Sequence, residues 1–155
     1  MSTIEARLAE LGLELPPAPA PGAVYQPAVI TGNLIYLSGH VSMKPDGTFI
    51  QGKVGRDLSL EEGQAAARQV ALLMLSTLKA TLGSLDRMQQ LVKTLGMVNS
   101  EPEFDQHHLV INGYSELMRE VYGPGRGVGA RSAVGMILPH AVAVEIEAIF
   151  EISPA

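Results

Sequence analysis

Residues 142–152, V-A-V-E-I-E-A-I-F-E-I, limit the possible folds of this chain more than any other stretch. Apolar residues recur at every second position, and a period of two is the mark of a strand, whose successive side chains point to opposite faces. Val144, Ile146, Ala148, Phe150 and Ile152 then share one face, and Glu145, Glu147, Ile149 and Glu151 share the other. The first face asks for a core. The second is either bathed in water or part of a site. Just upstream, residues 130–138 surround a single guanidinium, Arg131, with small and apolar side chains, and Pro139-His140 follows. The expected arrangement is a closing hairpin that sets Arg131 across a tight turn from the carboxylates. Two readings of Arg131 stand on spacing alone: a structural ion pair, or a fork held open for a substrate carboxylate.

The rest of the chain supplies the support for that segment. Ile4, Leu8 and Leu11 repeat at helical spacing, and Gly12 is placed to end the helix. Residues 16–22, P-P-A-P-A-P-G, form a stiff extended arm, because each proline fixes φ and removes a backbone donor. Residues 24–30 and 34–41 are β-prone runs joined by Thr31-Gly32-Asn33, which is hairpin chemistry, and Lys44-Pro45-Asp46-Gly47 is a second turn. Ser59 and Glu62 have capping-box spacing and open a long helix that Gly83 stops. Residues 70–75 are apolar all round, so this helix is expected to be covered on more than one side.

Residues 91–98 follow as a strand, and Ser100-Glu101-Pro102-Glu103 repeats the capping spacing ahead of a second helix carrying Leu109, Asn112, Gly113, Leu117 and Val121. The glycine-rich loop 123–127 follows a helix and precedes a strand, the reverse of a phosphate-binding P-loop, so its glycines are assigned to turn geometry. The expected fold class is α+β: a two-layer sandwich of a mixed sheet with two main helices on one face. One domain spans 1–155, with a helix and arm over 1–22 and a core over 23–152. No third layer remains in the sequence, so the other sheet face is expected to meet a second copy of the chain.

Several function classes drop out on composition. With 46% hydrophobic and 17% charged residues the chain is globular, and its net charge of -5 offers no basic patch for a phosphate backbone. Nucleic acid is not an expected partner. The absence of cysteine removes disulfides, thiolate metal sites and a thiol nucleophile. His107 and His108 are adjacent on a helix, point about 100° apart and cannot grip one metal, so they are assigned to a solvated surface. No apolar run reaches the roughly 20 residues of a membrane span, and the acidic start lacks signal-peptide character, which leaves the cytoplasm as the expected compartment.

The segments ARSAVG and VEIEAI, together with VYQPAV, GNLIYLSGHV, GKVGRDLSLEEG and VING, resemble the signature of the Rid family of reactive enamine/imine deaminases, also called YjgF-like or endoribonuclease L-PSP proteins. The resemblance runs from about residue 23 to residue 152. It implies a chorismate-mutase-like fold, a homotrimer with clefts between subunits, and no cofactor or metal. It also implies roles: Arg131 holds a substrate carboxylate, Glu145 orients the attacking water, and Tyr25, Ser38, Gly39 and Asn112 line the same cleft. Ala133 stands where many members carry cysteine, a position implied to act through its backbone carbonyl. His40 replaces a usual glutamine, and the distance from Arg131 to Pro139 is one residue shorter, marks of a divergent subgroup.

The expected activity is hydrolysis of a small 2-imino or enamine acid to the 2-keto acid and ammonia. A trimer that only binds a small carboxylate metabolite is the alternative. Ribonuclease activity stands third, and the acidic balance argues against it.

Overall fold

The structure, a computed structural model, describes residues 3–154. Residues 1, 2 and 155, the ends of the domain expected over 1–155, lie outside the described residues. Helix α1 spans Ile4–Glu10, with the Thr3 hydroxyl accepting from the Ala6 amide, and buries Ile4 and Leu8. Strands β1 (Ala28–Thr31) and β2 (Leu34–Val41) form the expected hairpin, closed by Gly32 at φ 59°. Helix α2 covers Leu60–Leu82 behind the complete Ser59–Glu62 capping box. Strand β3 (Met88–Val98), helix α3 (His107–Tyr122), strand β4 (Ala130–Gly135) and strand β5 (Val144–Ile152) complete the order.

The sheet order is β1-β2-β5-β3-β4, with β3 and β4 parallel and every other pair antiparallel. This corrects the expected closing hairpin, because β4 and β5 do not pair. The reason is the β3-α3-β4 unit: the helical crossover returns the chain parallel to β3, and β4 takes the edge place beside it. Residues 136–143 then wrap round the end of β3, with Met136 donating to the Val98 carbonyl and Asn99 donating to that of Ala143. Strand β5 lands in the centre, where both of its edges are paired and its inner face is buried. Truncating Phe150 there, at 0% exposure, would cost about 3–5 kcal/mol.

Two shorter corrections concern element ends. Of the run expected over residues 24–30 only residues 28–30 are strand, which continues into Thr31, since Pro27 has no amide to offer a neighbour. Helix α3 begins at His107 without a side-chain cap, so Ser100 is not its capping residue. Backbone pairing ties Ser100 and Glu101 to Val54, and the Ser100 hydroxyl meets Nε2 of His107 at 2.9 Å. His107 is therefore half-buried, with its ring edge-on to Phe104, rather than solvated, whereas His108 is exposed as expected.

Both long helices pack on one face of the sheet and on each other. A β-carbon at Gly113 would overlap the Gln64 carbonyl, so only glycine allows α2 and α3 this approach. The outer side of α2 is met by the chain leading from α1, where the Ser76 hydroxyl donates to the Pro16 carbonyl at 2.6 Å. That contact accounts for a helix apolar all round. The opposite sheet face is open, and carries Val29, Tyr36, Leu95, Met97, Val134 and Ile149 beside Glu145 and Glu147.

Candidate active site

One group of site residues is built on β2. Its pairing with β5 slips between Leu37 and His40, leaving Ser38 and Gly39 as a bulge. Ser38 is tied to the preceding loop: its amide donates to the Pro27 carbonyl at 3.0 Å and its hydroxyl to that of Gln26 at 2.6 Å. His40 holds the bulge from behind. Its Nδ1 lies 2.7 Å from the Ser38 carbonyl and its Nε2 2.8 Å from the Thr77 hydroxyl on α2. Since a carbonyl can only accept, Nδ1 carries the proton and Thr77 donates to Nε2. Burial lowers the His40 pKa below its usual value, which keeps that neutral tautomer in place.

The bulge brings Gly39 against Glu145 of β5. Any side chain at residue 39 would overlap the Glu145 carboxylate, so the glycine is what lets that carboxylate lie on the backbone. Burial first, and then the neighbouring Glu147 carboxylate, raise the Glu145 pKa above the ordinary glutamate range. Tyr25, Ser38, Gly39, His40 and Glu145 all line one cavity of about 590 Å³. Of the residues that the resemblance groups in one cleft, the fold brings Tyr25, Ser38, Gly39 and Glu145 to this cavity.

The second group lies on β4. Arg131 pairs with Thr94, and Thr94 with Ala148, both of which face the helices. The guanidinium accordingly reaches α3: Nη1 donates to Asn112 Oδ1 at 2.9 Å and to the Ser115 hydroxyl at 3.0 Å, and Nη2 donates to the His108 carbonyl at 3.1 Å. Residues 108, 112 and 115 share one stripe of the helix by their spacing. All three acceptors are neutral. Among the described residues of its own chain Arg131 enters no ion pair, and partial burial lowers its pKa. Ala133 follows on the same face of β4, half-buried and packed on the core.

The two groups do not meet within one chain. Glu145 projects from the open face and Arg131 from the helix face, with β3 between their strands. This corrects the expected opposition of Arg131 and the acidic strand across a tight turn.

Sequence reasoning missed Ser115, for which spacing from Asn112 was an available signal, and Phe49 and His140, for which none was. His140 stacks on Phe49 with ring centroids 4.9 Å apart and an interplanar angle of 15°. His140 and Ala141 both have left-handed backbones, at φ 54° and 52°, a strain of about 1–3 kcal/mol each for residues with a β-carbon. Such strain persists where surrounding contacts over-determine it: Gln51 Nε2 donates to the His140 carbonyl at 2.7 Å, and the Gly52 amide to that of Ala141 at 2.9 Å. Among the described residues, no group of three or more His, Asp or Glu side chains could hold a metal ion.

Comparison with known proteins agrees with this fold. The family described as "YjgF/chorismate mutase-like, putative endoribonuclease" matches residues 5–143. Protein TCP17 of Trypanosoma cruzi is 40% identical over 151 residues, covering 97% of this chain and 94% of that one. The crystal structure of Atu1372 from Agrobacterium tumefaciens superposes with a TM-score of 0.87 at 44% identity, over 97% of this chain and 94% of that one. A "putative endoribonuclease" from Shewanella oneidensis MR-1 superposes with a TM-score of 0.92 at 29% identity, over 97% of this chain and all of the other.

Proposed function

We propose, from the premise that the chain belongs to the YjgF/Rid family, that it hydrolyses 2-imino or enamine acids to 2-keto acids and ammonia, in clefts that form between the copies of a homotrimer. The observation that carries this reading is Arg131: a partly buried guanidinium, oriented by three neutral acceptors and opposed by no carboxylate of its own chain among the described residues. A fixed, uncompensated fork of this kind suits a planar carboxylate.

In the assembled cleft Arg131 of one copy binds the substrate carboxylate, and Asn112 and Ser115 set its direction. Glu145 of the next copy, with its pKa raised, takes a proton from water as the oxygen adds to the imine carbon. From the protonated imine this gives a neutral carbinolamine; Glu145 then returns its proton to the amine nitrogen, ammonia leaves as the C–N bond breaks, and the hydroxyl proton passes to solvent as the keto C=O forms. Ser38 and Gly39 sit beside Glu145 at the reacting carbon, Tyr25 closes the cavity wall, and the Ala133 backbone bounds the side nearer Arg131. The open apolar sheet face supports the trimer, since it would otherwise leave Val29, Tyr36, Leu95 and Met97 in water.

The test generates imine from an amino acid with an amino-acid oxidase and follows keto acid over time. Acceleration over buffer, lost in Arg131→Ala, is the expected result. If imine decay is unchanged while 2-keto acids still raise the melting temperature, the deaminase reading falls and a carboxylate-binding trimer takes its place.

A further inference from the structure

We infer that the cavity beside Glu145 is a side-chain subsite for large apolar, and in particular aromatic, substrates, walled by the proline-rich arm and the Phe49–His140 stack. This rests on the deaminase reading for its substrate head group. The cavity holds about 590 Å³, within the ~300–1,000 Å³ of sites that enclose whole small molecules, and a three-carbon imino acid would leave most of it empty.

Polarity is unevenly distributed around it. Glu145, Ser38 and Gly39 gather where the reacting carbon sits, and beside Tyr25, His40 and His140 the rest of the lining is apolar, Pro19, Pro27, Met43, Phe49, Leu73 and Pro139 among it. With the carboxylate turned toward a neighbour's Arg131 and the imine carbon at Glu145, the substrate's third substituent is left to enter this apolar wall.

Two features make the wall rigid. The arm is anchored at Pro16 by Ser76 and near its far end by the Gly22 amide, which donates to the Tyr25 hydroxyl at 3.3 Å. Its prolines hold it extended with fewer amides to satisfy, so it can face an apolar ligand without collapsing onto it. His140 is turned onto Phe49 by its left-handed backbone, and Gln51 and Gly52 hold that turn from the chain behind. The result is a preset flat surface, suited to an offset-stacked aromatic ring.

The experiment compares imines made in situ from phenylalanine and from alanine, with wild type, Phe49→Ala and His140→Gly. Glycine accepts φ 54° without strain, so His140→Gly keeps the turn while removing the ring. Wild type should favour the phenylalanine-derived imine in kcat/KM on the order of tenfold or more, and both variants should bring that ratio down by about the same factor. A wild-type preference for the alanine-derived imine, or a ratio unchanged in both variants, overturns the subsite. Calorimetry with phenylpyruvate and pyruvate separates the two proposals. If no imine is hydrolysed but phenylpyruvate binds more tightly than pyruvate, and only in wild type, the subsite stands and the deaminase reading falls. Equal affinities remove the subsite whatever the kinetics.

Discussion

Arg131 and Glu145 lie on opposite faces of one sheet, with strand β3 between the strands that carry them. A single copy therefore does not bring its own guanidinium and carboxylate to one substrate, which is why the proposed site lies between copies.

That relationship predicts complementation. Arg131→Ala and Glu145→Gln should each be inactive as pure proteins. Co-refolded in equal amounts, they should recover about a quarter of wild-type imine hydrolysis, the fraction of interfaces in a random ring that receive an intact Arg131 from one chain and an intact Glu145 from the other. Mixed assemblies, verified by mass, that stay inactive would defeat the shared site.

The direction of the guanidinium is predicted to matter as much as its charge. Asn112→Ala removes one of the acceptors on Nη1 and should raise KM with little change in melting temperature. Arg131→Lys retains the charge but loses the planar fork, and should lower kcat/KM by about tenfold or more, in line with ~1.5–3 kcal/mol per charged hydrogen bond. Equal kinetics for Arg131→Lys and wild type would mean that Arg131 acts only as a point charge.

Ile137, at 94% exposure, lies just beyond β4 in the segment that passes the end of β3. Ile137→Glu touches no core residue, so the folded chain should survive while light scattering reports a mass below three chains and activity falls with it. Unchanged mass together with unchanged activity would place Ile137 outside the interface.

Glu145 has a folded pKa above its unfolded value, so its contribution to stability is present below the usual glutamate range and is lost as pH rises through the raised value. Glu145→Gln should accordingly melt higher than wild type at neutral pH, with the gap closing in acid, even as hydrolysis is abolished. A variant that melts lower at every pH would assign Glu145 a structural role.

For His40 the sign is reversed. Its folded pKa is lowered, so its contribution is present above the usual histidine value and is lost as pH falls, because the unfolded chain takes the proton first. His40→Gln should lessen the loss of melting temperature between about pH 7 and about pH 5. An identical acid slope in both proteins would show that His40 does not govern it.

The elements were legible in the sequence because local chemistry decides them. Period two in residues 144–152, the Ser59–Glu62 box, Gly32 in its turn and Gly83 after α2 each act within a few residues, and the structure has them where expected. Where a local signal failed, a distant partner had taken the group: Ser100 matched a cap by spacing, but Val54 holds its backbone and His107 its hydroxyl.

The grouping of Tyr25, Ser38, Gly39 and Glu145 was reached by likeness to a family and not by any spacing in this chain. Strand β5 alone determined its two faces, one apolar and one acidic, since alternation is a property of the pleat. Which strands flank it was beyond the sequence, because period two does not encode neighbours. The α3 crossover set β4 parallel to β3, β5 inserted between β2 and β3, and the register that pairs Arg131 with Thr94 put Arg131 on the helix face. Residue types thus set the chemistry available, a guanidinium and a carboxylate. Strand order, fixed by packing over the whole sheet, decided that one chain could not join them.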